Sequence, residues 1–177
     1  LVGILNADQG LFGTGFRGEE RLAQAVEQVA GRAGRRDDPG ELIVKKHFPR
    51  HPLLQRLLEH GYLASADVML EDRRRAGWPP FSAVALIDAD SKRRASAHEF
   101  LQRVRSLAEP VLGRVRLLGP APATMERRHG RYHAQLLLQA SERSELHSAL
   151  ERIVAGIDEL RADRGVRWAL DVDPLDV

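Results

Sequence analysis

The spacing of apolar residues changes period several times along the chain, and each change marks an element. Leu1 to Asn6 is a nearly unbroken apolar run, which predicts a buried strand. A glycine-rich loop runs to Gly18. From about Glu19, Leu22, Val26, Val29 and Ala33 recur at helical spacing and predict one apolar stripe. Arg36-Asp37-Asp38-Pro39-Gly40 reads as a turn, and Glu41 to His47 as a second β-rich segment. Helices are expected from Pro52 to His60 and from Leu63 to Arg75. Gly77-Trp78-Pro79-Pro80 then stops helical continuation and stiffens the exit, so a domain boundary is expected there.

Beyond it the periods alternate. Ala83 to Asp88 predicts a strand, and Ala97, Leu101, Val104 and Ala108 line one face of a helix beginning near Lys92. Val115 to Leu118 reads as a short strand. Arg131 to Gln139 alternates, with Tyr132, Ala134, Leu136 and Leu138 on one side. Ser141 is placed to cap a helix whose stripe is Leu146, Leu150, Ile153, Ile157 and Leu160. Val166, Trp168, Leu170 and Val172 alternate in a last strand. The succession β-α-β-β-α-β predicts a small α+β sandwich of ferredoxin-like type.

Composition narrows the class. The 177 residues are 43% hydrophobic and 29% charged, the balance of a folded globular chain. No apolar run reaches the ~20 residues of a membrane helix, and no secretory signal opens the sequence. No membrane partner is therefore expected, and a cytoplasmic location is. The absence of cysteine excludes disulfides and thiolate metal sites within these residues. Lysine stands only at positions 45, 46 and 92, so 24 of the 27 basic residues are arginine, the better partner for phosphate and carboxylate. The formal net charge is only +2, so nucleic-acid binding would have to come from local patches. The chain opens at Leu1 directly into an apolar strand without sheet neighbours before it, which leads us to expect the C-terminal part of a longer protein.

Two glycine-rich strings invite a nucleotide reading. Gly13-Thr14-Gly15-Phe16-Arg17-Gly18 matches G-x-G-x-x-G, but Ala7 to Phe12 separate it from the strand, and His47 stands where a ribose-binding acid belongs. A dinucleotide site is not expected. In Gln28-Val29-Ala30-Gly31-Arg32-Ala33-Gly34-Arg35, the residues Gln28, Arg32 and Arg35 fall within about 60° on a helix, away from the apolar stripe. Two forked cations and an amide on one face suit a terminal phosphate. A solvated, fraying helix end is the plainer reading of the same spacing.

Gln28-x-x-Gly31-Arg32-x-Gly34-Arg35 resembles motif VI of superfamily 2 helicases, and Leu1 to Asp8 resembles the motif V region. The wider pattern resembles the primosomal protein N′ family of replication-restart helicases. It takes in Phe16-Arg17, Glu20-Arg21, His51 to Gln55, Pro79-Pro80-Phe81, Leu118-Gly119-Pro120, Met125 to Arg128, Gly130-Arg131-Tyr132, Gln135 to Gln139 and Trp168 to Pro174, nearly the whole chain. The resemblance implies that residues 1–76 complete a second RecA-like α/β lobe and that 78–177 form the family's C-terminal domain. It implies an ATP-dependent 3′→5′ DNA helicase that unwinds stalled replication forks and starts primosome assembly. The rivals are another superfamily 2 branched-DNA helicase and a non-catalytic fork-binding adaptor with a decayed ATPase.

Residue by residue, the resemblance makes Arg32 and Arg35 arginine fingers and has Gln28 and Gly31 complete the ATP contact. It makes Asp8 a coupling residue between the nucleotide cleft and the DNA track. The P-loop and acidic motif that hold ATP with Mg²⁺, and the paired-cysteine Zn²⁺ sites, belong to parts of the family upstream of this sequence. The fragment alone is expected to be inactive. Expected partners are forked DNA with single-stranded regions, further primosome proteins, and the acidic C-terminal tail of single-stranded-DNA-binding protein. The tail pocket falls at Arg143 and at His147, where the family pattern has glutamine. The location implied is the bacterial cytoplasm, at the nucleoid. The loop Gly13-Thr14-Gly15 departs from the acidic or proline-containing stretch expected before Phe16.

Other clusters carry less. His47 and His51 are separated by Pro49 and lack a third ligand, so no metal site is expected. Asp171 and Asp173 alternate with apolar residues as the solvated face of a strand. Arg73-Arg74-Arg75 reads as a solvated helix end, with a DNA-backbone contact as the sharper option. Arg127, Arg128 and Arg131 flank a hairpin turn and either hold phosphate or simply keep the turn in water.

Overall fold

The computed structural model describes residues 2–5, 7, 15–33, 41–45, 47–48, 50–160 and 165–175. They form two compact units, Leu1–Ala76 and Gly77–Leu175.

In the first unit, β1 (Val2–Ile4) and β2 (Leu42–Val44) pair in parallel, Val2 opposite Leu42 and Ile4 opposite Val44. Parallel neighbours need a crossover, and the intervening sequence contains α1 (Gly18–Ala33). The apolar stripe buries Leu22, Ala23 and Val26 against Leu53, Leu54, Leu57 and Met69 of α2 (Pro52–Ala76). The two helices expected there run on from each other, and the break between them is Gly61, with φ 76° and ψ −175°. That backbone favours a residue without Cβ. The carbonyl it frees accepts a hydrogen bond from the buried Ser65 hydroxyl at 2.9 Å.

The second unit is an α+β sandwich. Its strands are β3 (Ala83–Ser91), β4 (Arg116–Arg128), β5 (Arg131–Ala140) and β6 (Arg167–Val172); its helices are α3 (Arg94–Ala108) and α4 (Arg143–Glu159). The sheet order is β4-β5-β3-β6 with every neighbouring pair antiparallel, the arrangement produced when two β-α-β crossovers interleave. Alternation in β3 and β5 sends Ala85, Ile87, Leu136 and Leu138 to the helix-covered face, where they meet Leu101, Val104, Leu146 and Ile153. On the opposite face, Trp78 packs on Val84, Leu86 and Leu137.

Two expectations are corrected. The short strand at Val115–Leu118 is the start of the 13-residue β4. Gly119, Pro120 and Pro122 resemble a strand end in sequence, but they fall where the β4–β5 register shifts, between Leu118 and Ala121 and again after Pro122. Proline is tolerated in a sheet at such irregularities, because no ladder hydrogen bond is demanded of it there. The cap of α4 is Glu142 rather than Ser141, and no side chain bonds the first-turn amides.

Candidate nucleotide and nucleic-acid sites

The face of α1 opposite its buried stripe carries Gln28, Gly31 and Arg32, all exposed. Among the described residues Arg32 forms no ion pair, and a Cβ placed on Gly31 would meet no other atom within 4 Å. An amide and a guanidinium one turn apart therefore face open space, a donor set that fits phosphate oxygens. Arg35 and Asp8 lie outside the described residues, as do Gly13, Thr14 and Gly34.

The other end of α1 is held by one of the three arginines expected at a solvated helix end or on the DNA backbone. Arg73, in the last turn of α2, donates to Glu20 Oε2 at 2.7 Å and is only 14% exposed. Its guanidinium lies 5.2 Å from the centre of the Phe16 ring, and that of Arg17 lies 5.3 Å from the same ring. Gln24 adds a 3.4 Å hydrogen bond to the Tyr62 hydroxyl. Arg73 thus pins the segment entering α1 onto α2. Only Arg74 and Arg75 behave as the solvated end expected of the triplet, pairing with Glu71 of their own helix at 3.9 and 3.2 Å.

β4 and β5 join through His129 and Gly130, both at positive φ (49° and 74°), the backbone of a type I′ turn that matches the sheet's twist. Arg128 and Arg131 pair directly across it. Arg127 and Arg128 are exposed, and the Arg127 guanidinium sits 5.4 Å from the Tyr132 ring centre. Arg131 corrects the expectation of three presented arginines. Its Nε donates to Asp90 Oδ1 and its Nη2 to the carbonyls of Asp90 (3.1 Å) and Gly165 (2.6 Å). Arg167 adds a second cation to the same carboxylate at 3.1 Å. Burial alone would raise the pKa of Asp90, but the hydrogen bonds and charges of Arg131 and Arg167 outweigh it and hold the carboxyl below its ordinary range.

Arg143 opens α4, with His147 one turn on, both exposed. Arg143 Nη1 donates to Asp173 Oδ2 at 2.6 Å, an exposed ion pair joining α4 to the end of β6. The first-turn amides beside it lack a side-chain cap, which adds to the pull on an anion. Asp173, expected only on the solvated face of a strand, is thus a partner of a candidate site residue. Among the described residues, no group of three or more histidine and acidic side chains is placed to hold a metal, and no helix is long and apolar enough to cross a membrane.

The model of the primosomal protein N C-terminal domain matches residues 74–175, more than half of the chain. Proteins called replication restart protein PriA are similar along nearly its whole length. The one from Haemophilus influenzae is 42% identical over 100% of this chain, that from Synechocystis 33% over 100%, and that from Bacillus subtilis 27% over 98%. The chain spans 24%, 21% and 22% of those relatives, respectively.

Proposed function

The chain belongs to the primosomal protein N C-terminal domain family, and from that membership we propose that it supplies the end of the motor and the C-terminal domain of an ATP-dependent 3′→5′ superfamily 2 helicase that restarts replication at stalled bacterial forks. The observation that carries this reading is similarity along nearly the whole chain to replication restart proteins, including the stretch that holds Gln28, Gly31 and Arg32. Residues 1–76 act as the closing part of the second RecA-like lobe, and 77–175 bind and orient the fork.

In this reading Gln28 and Arg32, with Arg35, face the terminal phosphate of ATP. When bound, Mg²⁺ would share the charge on the phosphates. The arginines neutralise charge that grows on the γ-phosphoryl oxygens as its bond to the leaving group lengthens, and such a finger is worth ~10³–10⁵ in rate. Pinning of α1 by Glu20 and Arg73 keeps that face in one orientation, so the fingers do not pay the full entropy of ordering at each turnover. Arg127 and Arg128 contact DNA phosphates. Arg143 and His147 receive the acidic tail of single-stranded-DNA-binding protein, and other primosome proteins join at the fork.

Unwinding of a labelled fork by the full protein tests the reading. Strand release is expected with ATP, not with a non-hydrolysable analogue, and only when the tracked strand offers 3′→5′ passage. Release independent of hydrolysis, or with the opposite polarity, overturns it.

A further inference from the structure

A cavity of about 420 Å³ lies between the first turns of α3 and the β4–β5 hairpin, within the range of small-ligand pockets. The sheet makes it. The β4–β5 ladder passes from Pro122–Ala134 straight to Arg127–Tyr132, so Ala123 to Glu126 stand opposite His133 alone and leave the regular ladder. Tyr132, Ala134 and Pro122 provide wall on the sheet side, and His98 and Ala95 provide it on the helix side; most of the surface is apolar. Charge is distributed unevenly around it. Arg127 and Arg128 stand exposed on the same hairpin, with Arg127 over the Tyr132 ring, and Lys92 and Arg93 are exposed just before α3. Arg94, in the lining but itself exposed, is already paired through its Nε with Glu126 Oε1.

That distribution selects a ligand. An acidic side chain would find the one guanidinium in the lining paired and the Glu126 carboxylate beside it. A planar, neutral group carrying N–H donors meets an aromatic ring, an imidazole and a carboxylate with a second oxygen beyond the Oε1 that accepts from Arg94, while its own anionic backbone meets the exposed arginines outside. We propose that this cavity takes one unstacked, amino-bearing base of single-stranded DNA, held against Tyr132 and His98 with its exocyclic amino group directed to Glu126 and the flanking phosphates on Arg127 and Arg128. The assignment rests on the proposed function and deepens it. The C-terminal domain grips a base as well as phosphates, and an exocyclic amino group adds a contact to the stacking that any base supplies.

The test uses the full protein with single-stranded oligomers of equal length and phosphate count, one carrying cytosines and one abasic at the same positions. A single 5-iodocytosine should photo-crosslink to a peptide containing Tyr132 or His98. Tyr132→Leu, which keeps an apolar strand residue, should lose that adduct and weaken binding of the cytosine strand roughly tenfold while leaving the abasic strand unchanged. His98→Ala should act in the same direction, and a thymine strand, which stacks but lacks the exocyclic amino group, should bind between the cytosine and abasic strands. Adducts that map only elsewhere, or a Tyr132→Leu variant that weakens both strands equally, overturn the pocket and leave the helicase reading standing. A full protein that binds no single strand at all overturns both. A glutamate-rich peptide whose binding falls in Tyr132→Leu, with DNA binding unaffected, overturns the proposal in favour of a peptide site.

Discussion

Leu138 and Leu63 are the same side chain in opposite circumstances. Leu138 is fully buried in the second unit's core, which draws side chains from all four strands and both helices. Leu63 is 80% exposed on α2 of the first, and Leu5 stands similarly open. The second unit therefore closes its own core. Among the described residues, the first joins two short parallel strands to two helices through a smaller cluster, which fits its proposed place at the end of a larger lobe. The chemistry divides the same way. The candidate nucleotide face sits on the unit with less internal support, and the candidate DNA and tail contacts sit on the self-contained one.

The sharpest way to break this comparison is to truncate the two leucines. Leu138→Ala should cost about 2–5 kcal/mol through lost transfer energy and the cavity left behind. Both tryptophans, Trp78 and Trp168, lie in the second unit, so their fluorescence reports that transition. Leu63→Ala should shift no transition seen by circular dichroism by more than ~0.5 kcal/mol. Comparable losses at both sites would mean the units are not differently closed.

A smaller effect sharpens the account of the second unit. Asp90 binds cations from β5 and β6, and its folded pKa lies below the ordinary carboxylate range. Its contribution is therefore complete above that range and is lost as pH falls through it towards the folded value. Asp90→Asn should destabilise the unit by about 2 kcal/mol at neutral pH and flatten the acid limb of its stability curve. An unaltered acid limb would show that other carboxylates govern it.

The smallest effect concerns Arg143. Asp173 occupies its guanidinium in an exposed pair worth ~0–1 kcal/mol, so it competes weakly with any acidic tail. Asp173→Asn keeps a residue suited to the φ of 58° found there and should tighten binding of the single-stranded-DNA-binding protein tail by up to about fivefold, more at low salt than at high. Weaker binding in a peptide titration would show that Asp173 supports the site rather than blocking it.

Periodic features were legible in the sequence. The stripes Ala97–Leu101–Val104–Ala108 and Leu146–Leu150–Ile153–Ile157 are the buried faces of α3 and α4, because in a helix packed on a sheet the burial pattern follows the backbone period. What escaped was set by distant partners. Arg73 looks like its neighbours Arg74 and Arg75 until Glu20 is found beside it across 53 positions. Arg131 looks as free as Arg127 until Asp90, 41 positions away, is found beneath it. The extension of β4 was hidden because Gly119, Pro120 and Pro122 carry the chemistry of a turn, and only pairing with β5 keeps that segment in the sheet. The cavity at Tyr132 escaped for the same reason, since a register jump leaves no periodic signature.

Single-turnover ATP hydrolysis by the full protein, with and without single-stranded DNA, tests the central claim most directly when Arg32 is changed to alanine. Arg32 is exposed, lies outside the core and makes no ion pair among the described residues, so stability should be unaltered. The account predicts that DNA-stimulated hydrolysis falls by about 10³-fold or more, while affinity for single-stranded DNA stays within about twofold of the unmodified protein. Near-normal hydrolysis in a folded Arg32→Ala protein would contradict the account and reduce this face of α1 to solvated surface.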